Sequence, residues 1–429
     1  MRRLVERLVA PFAVDRRVLA LAGARMADGI GNSFLIIVIP LYVTSGVVGG
    51  TAFGLGESMI IGLVLSLFGF LNSSFQPATG RLSDRIGRRK PFILVGLAGL
   101  AMTNVAYVFA ETYVSLLVIR GLQGVSVAFI IPSSVALVNE LATTGDRGGN
   151  MGVYNTFRLV GFGAGPAVAG AVVSRGPYAL PGGAVIDGFD AAFYIATITA
   201  TISYVMVTVL VSDPESTAAN AGADLSIPIL DRSGTNLLDP VFTLGVASLF
   251  MATAIALFAT IQPQVNARLE QGSTWFGLQF AAFIIAQVAL QTPIGRACDR
   301  YGRRPFIVVG MLLLVPTTLV QGFLFSSVLM FLARLFQGIA AAMVFAPSLA
   351  LVGDLAGPGE SGSKLSVLTM AFGYGIALGP LSSGALVGYG FEVPFVFGTS
   401  LAVLGVVLVY TQVEETLETT ASVPVVGSD

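Results

Sequence analysis

Five ionisable residues stand inside stretches that are otherwise apolar: Arg25, Asp28, Arg120, Arg158 and Arg334. A charge in hydrocarbon is costly, so such residues face a protein interior or a wet path and are functional candidates by default. Asp28 lies about 11 residues into its stretch, roughly 16 Å deep at 1.5 Å per residue. Arg158 lies about 8 residues into another, roughly 12 Å from the same side. Burial favours the protonated acid, and a neighbouring cation favours the ionised one. An acid held between these influences can take up and release a proton, which makes Asp28 the candidate proton-binding group. The alternative is a permanent salt bridge, with Arg158 or with Arg25 three residues earlier.

The rest of the chain supplies the setting for such chemistry. Of 429 residues, 55% are hydrophobic and 11% charged, and the mean hydropathy is +0.84. A soluble domain carries about 25% charged residues, so the solvent for this chain is lipid. Gly is abundant at 51 residues, which suits close helix contact in a membrane. There is no His and one Cys, Cys298, which excludes an internal disulfide framework and the usual His/Cys metal sites. Proton coupling must then use carboxylates. No metal, cofactor or enzymatic activity is expected, and without a nucleotide-binding loop neither is ATP-driven transport. A net charge of −1 gives no reason to expect nucleic acid. The basic, amphipathic segment Met1–Arg17 runs into a full-length spanning stretch and not into a signal-peptide core, so it is expected at the cytoplasmic interface.

A bilayer-crossing helix needs roughly 20 apolar residues. Spans are predicted at 18–44, 54–79, 92–110, 113–141, 150–174, 189–212, 240–264, 274–294, 306–325, 327–355, 362–388 and 391–411. The fold class expected is therefore all-α, twelve transmembrane helices in two pseudo-symmetric six-helix bundles. The bundles are placed at 1–212 and 240–411, with a cytoplasmic linker at 213–239 and a cytoplasmic tail at 412–429. With the N-terminus inside, 17 of the 23 basic residues fall on the cytoplasmic side and only Arg175 and Arg268 outside. That asymmetry matches the positive-inside tendency and predicts a multi-pass plasma-membrane protein with both termini cytoplasmic.

The two halves repeat one another. Gly80-Arg-Leu-Ser-Asp84-Arg85-Ile-Gly87-Arg88-Arg89 matches Gly295-Arg-Ala-Cys-Asp299-Arg300-Tyr-Gly302-Arg303-Arg304 at an offset of 215. After one deletion the offset is 214 and stays there, for Arg120-Gly-Leu-Gln123-Gly124 with Arg334-Leu-Phe-Gln337-Gly338, for Glu140 with Asp354, and for Gly165-Pro166 with Gly379-Pro380. A duplicated six-helix unit of constant orientation is a transporter architecture, with substrate near the midplane between the copies.

At these residues the chain resembles the major facilitator superfamily, and within it the twelve-span proton-linked drug antiporters. The loop Gly80–Arg89 looks like motif A, Arg120–Gly124 like motif B, and Gly161-Phe-Gly-Ala-Gly165-Pro166-Ala-Val-Ala-Gly170 like motif C. The resemblance places spans one and five side by side, so the depths of Asp28 and Arg158 permit pairing. It also gives Arg120 a role in proton transfer or in holding span one, with backbone bonding or snorkelling as the bland alternative. For Arg334 a structural role is favoured. The resemblance implies that Asp84 meets the positive start of span eleven near Ser361–Ser363, and Asp299 the start of span five near Gly148–Gly149. Glu140 and Asp354 are expected to pair with Arg88 and Arg303. Together with Gly80, Gly87, Arg89, Gly295 and Gly302, these residues form a candidate latch that closes when the halves meet on the cytoplasmic side. Each charge–dipole contact is worth roughly 0.3–1 kcal/mol, which suits a switch that must reopen. Gly161, Gly165, Pro166 and Gly170, with Gly379, Pro380 and Gly384, are expected to serve close packing and bending.

Cavity candidates on spans one, four and ten are Asn32, Ser33, Ser126, Gln337 and Met343. A mostly apolar cavity with one acid suits lipophilic or cationic compounds. The function expected is export of such compounds in exchange for protons by alternating access. The alternative is an uptake symporter or facilitator for a sugar or organic ion. A non-transporting receptor is disfavoured by intact motifs in both halves. The partners expected are a small-molecule substrate, protons and the lipid bilayer, and a monomer is expected.

Overall fold

The computed structural model describes residues 15–50, 54–141, 147–179, 183–214, 229–230, 236–355 and 361–416. Twelve helices among them are long and apolar enough to cross a membrane. In chain order they are α1 (Arg16–Thr44), α2 (Glu57–Ile86), α3 (Lys90–Ala106), α4 (Tyr113–Glu140), α5 (Arg147–Arg175), α6 (Gly188–Leu210), α7 (Pro240–Thr260), α8 (Ser273–Tyr301), α9 (Arg303–Gln321), α10 (Ser327–Asp354), α11 (Ser361–Leu386) and α12 (Val393–Gln412). The expected linker 213–239 and tail 412–429 lie largely outside the described residues.

The ends of these helices follow from local chemistry. α2 and α8 each run seven residues beyond the apolar run, because the charged motif continues the helix into water. Both stop at a glycine with positive φ, Gly87 at 67° and Gly302 at 101°. The Gly87 N–H bonds back to Ser83 O at 3.1 Å and Asp84 O at 3.2 Å, satisfying carbonyls the helix leaves free. Thr112 and Ser326, at corresponding positions, cap α4 and α10 through their hydroxyls. Asp239 caps α7, accepting from Val241 N at 2.8 Å and Phe242 N at 3.1 Å.

Prolines inside helices leave a carbonyl without its donor. Pro132 frees the carbonyl of Ala128, and the Thr79 hydroxyl donates to it at 2.6 Å. One side chain on α2 thus repairs a bend in α4 and ties the two helices together.

Within the first half α1 packs on α5 and α6, α2 on α4, and α3 on α4 and α6; in the second, α7 packs on α11 and α12, α8 on α10, and α9 on α10 and α12. The halves meet along two seams, α2 with α11 and α5 with α8. Lipid offers no hydrophobic drive between helices, so the seams depend on small residues that let backbones approach. A Cβ on Gly62 would sit 2.6 Å from Pro380 O, and one on Gly384 2.4 Å from Ser58 O. On the other seam a Cβ on Gly170 would sit 2.5 Å from Ser273 O, and one on Gly277 2.4 Å from Pro166 O. These contacts occupy the portion of each helix farther from the motif loops. Phe162 against Phe280 (6.1 Å between ring centres) and Phe70 against Tyr374 (6.0 Å) lie near mid-depth. Nearer the motif loops, Gly295 and Gly353 have open space where a side chain would go.

Candidate functional site

Asp28 is 1% exposed. Its carboxylate pairs with the Arg25 guanidinium three residues earlier, which the 3.6-residue repeat brings onto the same face. Asp28 Oδ1 and Arg25 Nε have no hydrogen-bond partner in the structure. Both residues line a cavity of about 10 Å³ with Ser134 and apolar groups of α1, α3, α4 and α6. That is about the room one water needs.

Arg158 is brought close through glycine. Gly29 and Gly161 have no side chains to hold α1 and α5 apart. A Cβ on Gly29 would sit 3.3 Å from Arg158 O, and one on Gly161 2.2 Å from Met26 O. Arg158 is half-buried, and its Nε reaches Asn155 Oδ1 at 3.5 Å. Of the two partners open to Asp28, the structure selects Arg25.

Arg120 and Arg334 sit in matching networks. Arg120, 3% exposed, donates to Gln123 Oε1 at 2.9 Å and lies over the Phe68 ring at 4.4 Å. Gln123 donates to Asn104 at 2.6 Å and accepts from the Tyr107 hydroxyl at 2.9 Å. Arg334, 0% exposed, donates to Gln337 Oε1 at 2.5 Å, and Gln337 donates to Thr318 at 3.0 Å. Its guanidinium is stacked against Phe258 at 4.5 Å and Phe283 at 4.8 Å. Aromatic faces and amide oxygens offset part of the cost of these buried cations.

Most of the expected cavity residues lie within a half. Ser33 bonds to Gly29 O at 2.7 Å and fills the notch left by Gly165. Ser126 faces α3 at Gly96 and Gly99, and Met343 faces α9 at Gly310. Gln337 belongs to the Arg334 network. Asn32 is half-buried, with Oδ1 unpartnered. Small residues in the facing helices draw these side chains into intra-half contacts, which helical periodicity within one span does not reveal.

The motif A loops form two clusters of like design. Arg89, 4% exposed, donates to Asp84 Oδ1 at 2.5 Å, Ser83 Oγ at 2.7 Å and Glu140 Oε1 at 2.8 Å. Burial alone would lower its pKa; the bonds to Glu140 and Asp84 outweigh this and hold it above the ordinary arginine value. The partner of Glu140 is therefore Arg89, not Arg88, which is exposed. Glycine ends the turn one residue before Arg88, and only the next residue reaches back under the loop. Arg303 pairs with Asp354, lies 3.5 Å from Asp299 and donates to Ala350 O at 2.9 Å. Arg89 and Arg303 are thus the equivalent pair. The side chains at Ser361–Ser363 and Gly148–Gly149, expected to meet Asp84 and Asp299, lie outside the described residues.

Two acids complete these clusters. Asp213 Oδ1 accepts from Arg89 N at 3.1 Å and Lys90 N at 2.9 Å, and Glu415 Oε2 accepts from Arg304 N at 2.9 Å. Each caps the start of a half's third helix from three residues past the end of its sixth. Their offset is 202, not 214, so a repeat search at constant spacing passes over them.

Motif C packs on two sides. Gly161 and Gly165 admit α1, while Gly163 and Gly170 admit Ile284 and Ser273 of α8. In α11, Gly375 and Gly379 admit α7, while Gly373 and Gly384 admit Ser73 and Ser58 of α2. Pro380 O accepts from Thr260 at 3.1 Å.

The family model of the major facilitator superfamily matches residues 21–267 and 242–424, and the chain belongs to that superfamily of membrane transporters. Multidrug resistance protein 2 of Bacillus subtilis is 25% identical over 177 residues, 41% of this chain and 44% of that protein. The chain thus aligns with less than half the length of that relative. A bacterial homologue of the human lysosomal transporter Spinster, solved in an inward-facing and occupied conformation, superposes with TM-score 0.75 at 13% identity, over 92% of this chain and 95% of that one. The human organic anion transporter MFSD10 superposes with TM-score 0.64 at 21% identity, over 92% of this chain and 99% of that one.

Proposed function

We propose that this protein is a proton-coupled secondary active transporter of small amphiphilic compounds, working by alternating access, with Asp28 as the proton-binding group. One observation carries the reading. Asp28 is the one acid placed deep within the described spans, it is buried, and the Arg25 guanidinium holds it. The motif loops are taken to face the cytoplasm of a plasma-membrane protein whose halves divide at 213–239. The seams then close the outer side, and Gly295 and Gly353, which have open space within α8 and α10, lie on the inner side. The Arg89 and Arg303 clusters shape the ends that meet when the inner side closes, so they are assigned the latch.

The printed name of the multidrug relative supports drug-like substrates, and export of these in exchange for protons is the first reading. It requires substrate and proton to exclude one another, as a cation near Asp28 would. A second reading is cotransport of an organic ion. It is favoured by the ionic balance at depth, four arginines against one acid in the described spans, and by the organic anion transporter among the structural neighbours.

The test is flux of a fluorescent amphiphile in proteoliposomes under an imposed pH gradient. Wild type should respond to the gradient and Asp28→Asn should not. Gradient dependence that survives intact in Asp28→Asn sinks the assignment.

A further inference from the structure

The four arginines at depth are not equivalent. Arg25 is taken by Asp28. Arg120 and Arg334 are sealed among aromatic rings and glutamines inside one half. Arg158 alone of the four is half-buried with no carboxylate paired to it and no ring stacked on its guanidinium among the described residues, and its bond to Asn155 is long at 3.5 Å. Its direction follows from helix geometry. Phe162 is four residues on, on the same face of α5, and its ring meets Phe280 of α8 across the seam. Gly161 and Gly165, three and seven residues on, turn the same side of α5 toward α1, so Arg158 sits at the edge between α1 and the other half, one turn to the motif-loop side of the aromatic contact that closes the opposite side. Arg25 lies close enough to act on its charge, and Asp28 is paired with Arg25, so the group carries two positive charges and one negative. α8 brings no charge between Ser273 and Arg296 to balance it.

We infer that Arg158 is the headgroup site for an amphiphilic anion, whose apolar body lies against Phe162 and Phe280. A guanidinium suits a carboxylate, sulfonate or phosphate ester, which accept its paired N–H donors. Asp28 offers no comparable site for a cation, because it is buried and already paired. The inference rests on the transport reading above and gives its coupling a sign. The charged or titratable groups that act on one another at the site are Arg25 and Asp28 from α1 and Tyr154 on α5 itself; α8 carries none from Ser273 to Gly295. A proton on Asp28 removes the one negative charge and leaves two guanidinium ions, which hold an anion more tightly. By linkage the anion holds the proton more tightly as well. Proton and substrate then move together.

The experiment is calorimetric titration of the purified full chain with two probes of one shape, 2-naphthalenesulfonate and 2-naphthyltrimethylammonium. The sulfonate should bind more tightly. Arg158→Gln should weaken it about tenfold or more, the scale of a lost charge-assisted bond, while Arg158→Lys retains most of the affinity and shows the fold is intact. Lowering the pH from about 7 to about 5 should tighten sulfonate binding in wild type and not in Asp28→Asn. Preference for the ammonium probe, binding of neither, or sulfonate affinity unchanged in Arg158→Gln overturns the inference. Probe preference is read without a gradient. A failure here is therefore distinct from a failure of proton coupling in the flux assay.

Discussion

Arg88 and Arg89 are chain neighbours in opposite surroundings. Arg88 points into solvent, while Arg89 lies under the loop between two carboxylates. Removing one partner of a buried ionic cluster strands the others, at a cost of about 3 kcal/mol. A surface charge change is worth about 0.5 kcal/mol or less. Arg89→Gln is therefore expected to lower stability by about 3 kcal/mol, and Arg88→Gln to leave it nearly unchanged. Denaturant titration of the two variants in detergent checks this, and equal losses would refute the assignment. Both residues are arginine in one run, so residue type does not separate them. The turn at Gly87 does.

At the scale of helices, glycines carry the contacts that side chains carry in a soluble core. Gly161 and Gly152 lie on the same helix, α5. A Cβ on Gly161 would press on Met26 O at 2.2 Å, whereas one on Gly152 meets nothing within 4 Å. Overpacking costs about 1–3 kcal/mol, and replacing an unconstrained helical Gly by Ala gains about 0.5–1 kcal/mol. Gly161→Ala should thus lower the melting temperature and Gly152→Ala raise it slightly. The same shift in both would mean that α1 and α5 are not held by this close approach. The α5 repeat was legible as a Gly-Pro pattern. Which glycine admits α1 and which admits α8 was not, because the pattern carries no information on what stands opposite.

For the whole molecule, the seams imply that the side away from the motif loops must part for transport. Ser174 and Thr274 face one another there, hydroxyl to hydroxyl at 3.3 Å, across the two halves. Cysteines at both positions, in a Cys298→Ser background, should form a bridge on oxidation. Flux should then stop and return with reductant. Undiminished flux in the bridged protein would show that the halves need not separate at this seam.

Lipid solvent, twelve spans, a duplicated bundle and the superfamily were all settled by sequence, because each rests on composition, segment length and repetition along the chain. Asp28 could also be singled out, since an acid at depth is costly wherever the chain folds. Its partner could not. Arg25 and Arg158 are both within reach by depth, and only the approach of α1 to α5 through Gly29 and Gly161 set the geometry that gave Asp28 to Arg25 and left Arg158 without a carboxylate partner among the described residues. The same holds for Ser33, Ser126, Gln337 and Met343, polar or soft residues drawn into contacts inside a half, and for Asp213 and Glu415, which reach loops more than a hundred residues away. Pairing is a property of what faces what across space, and in a bundle of similar helices that is decided by the small residues that let two particular backbones meet.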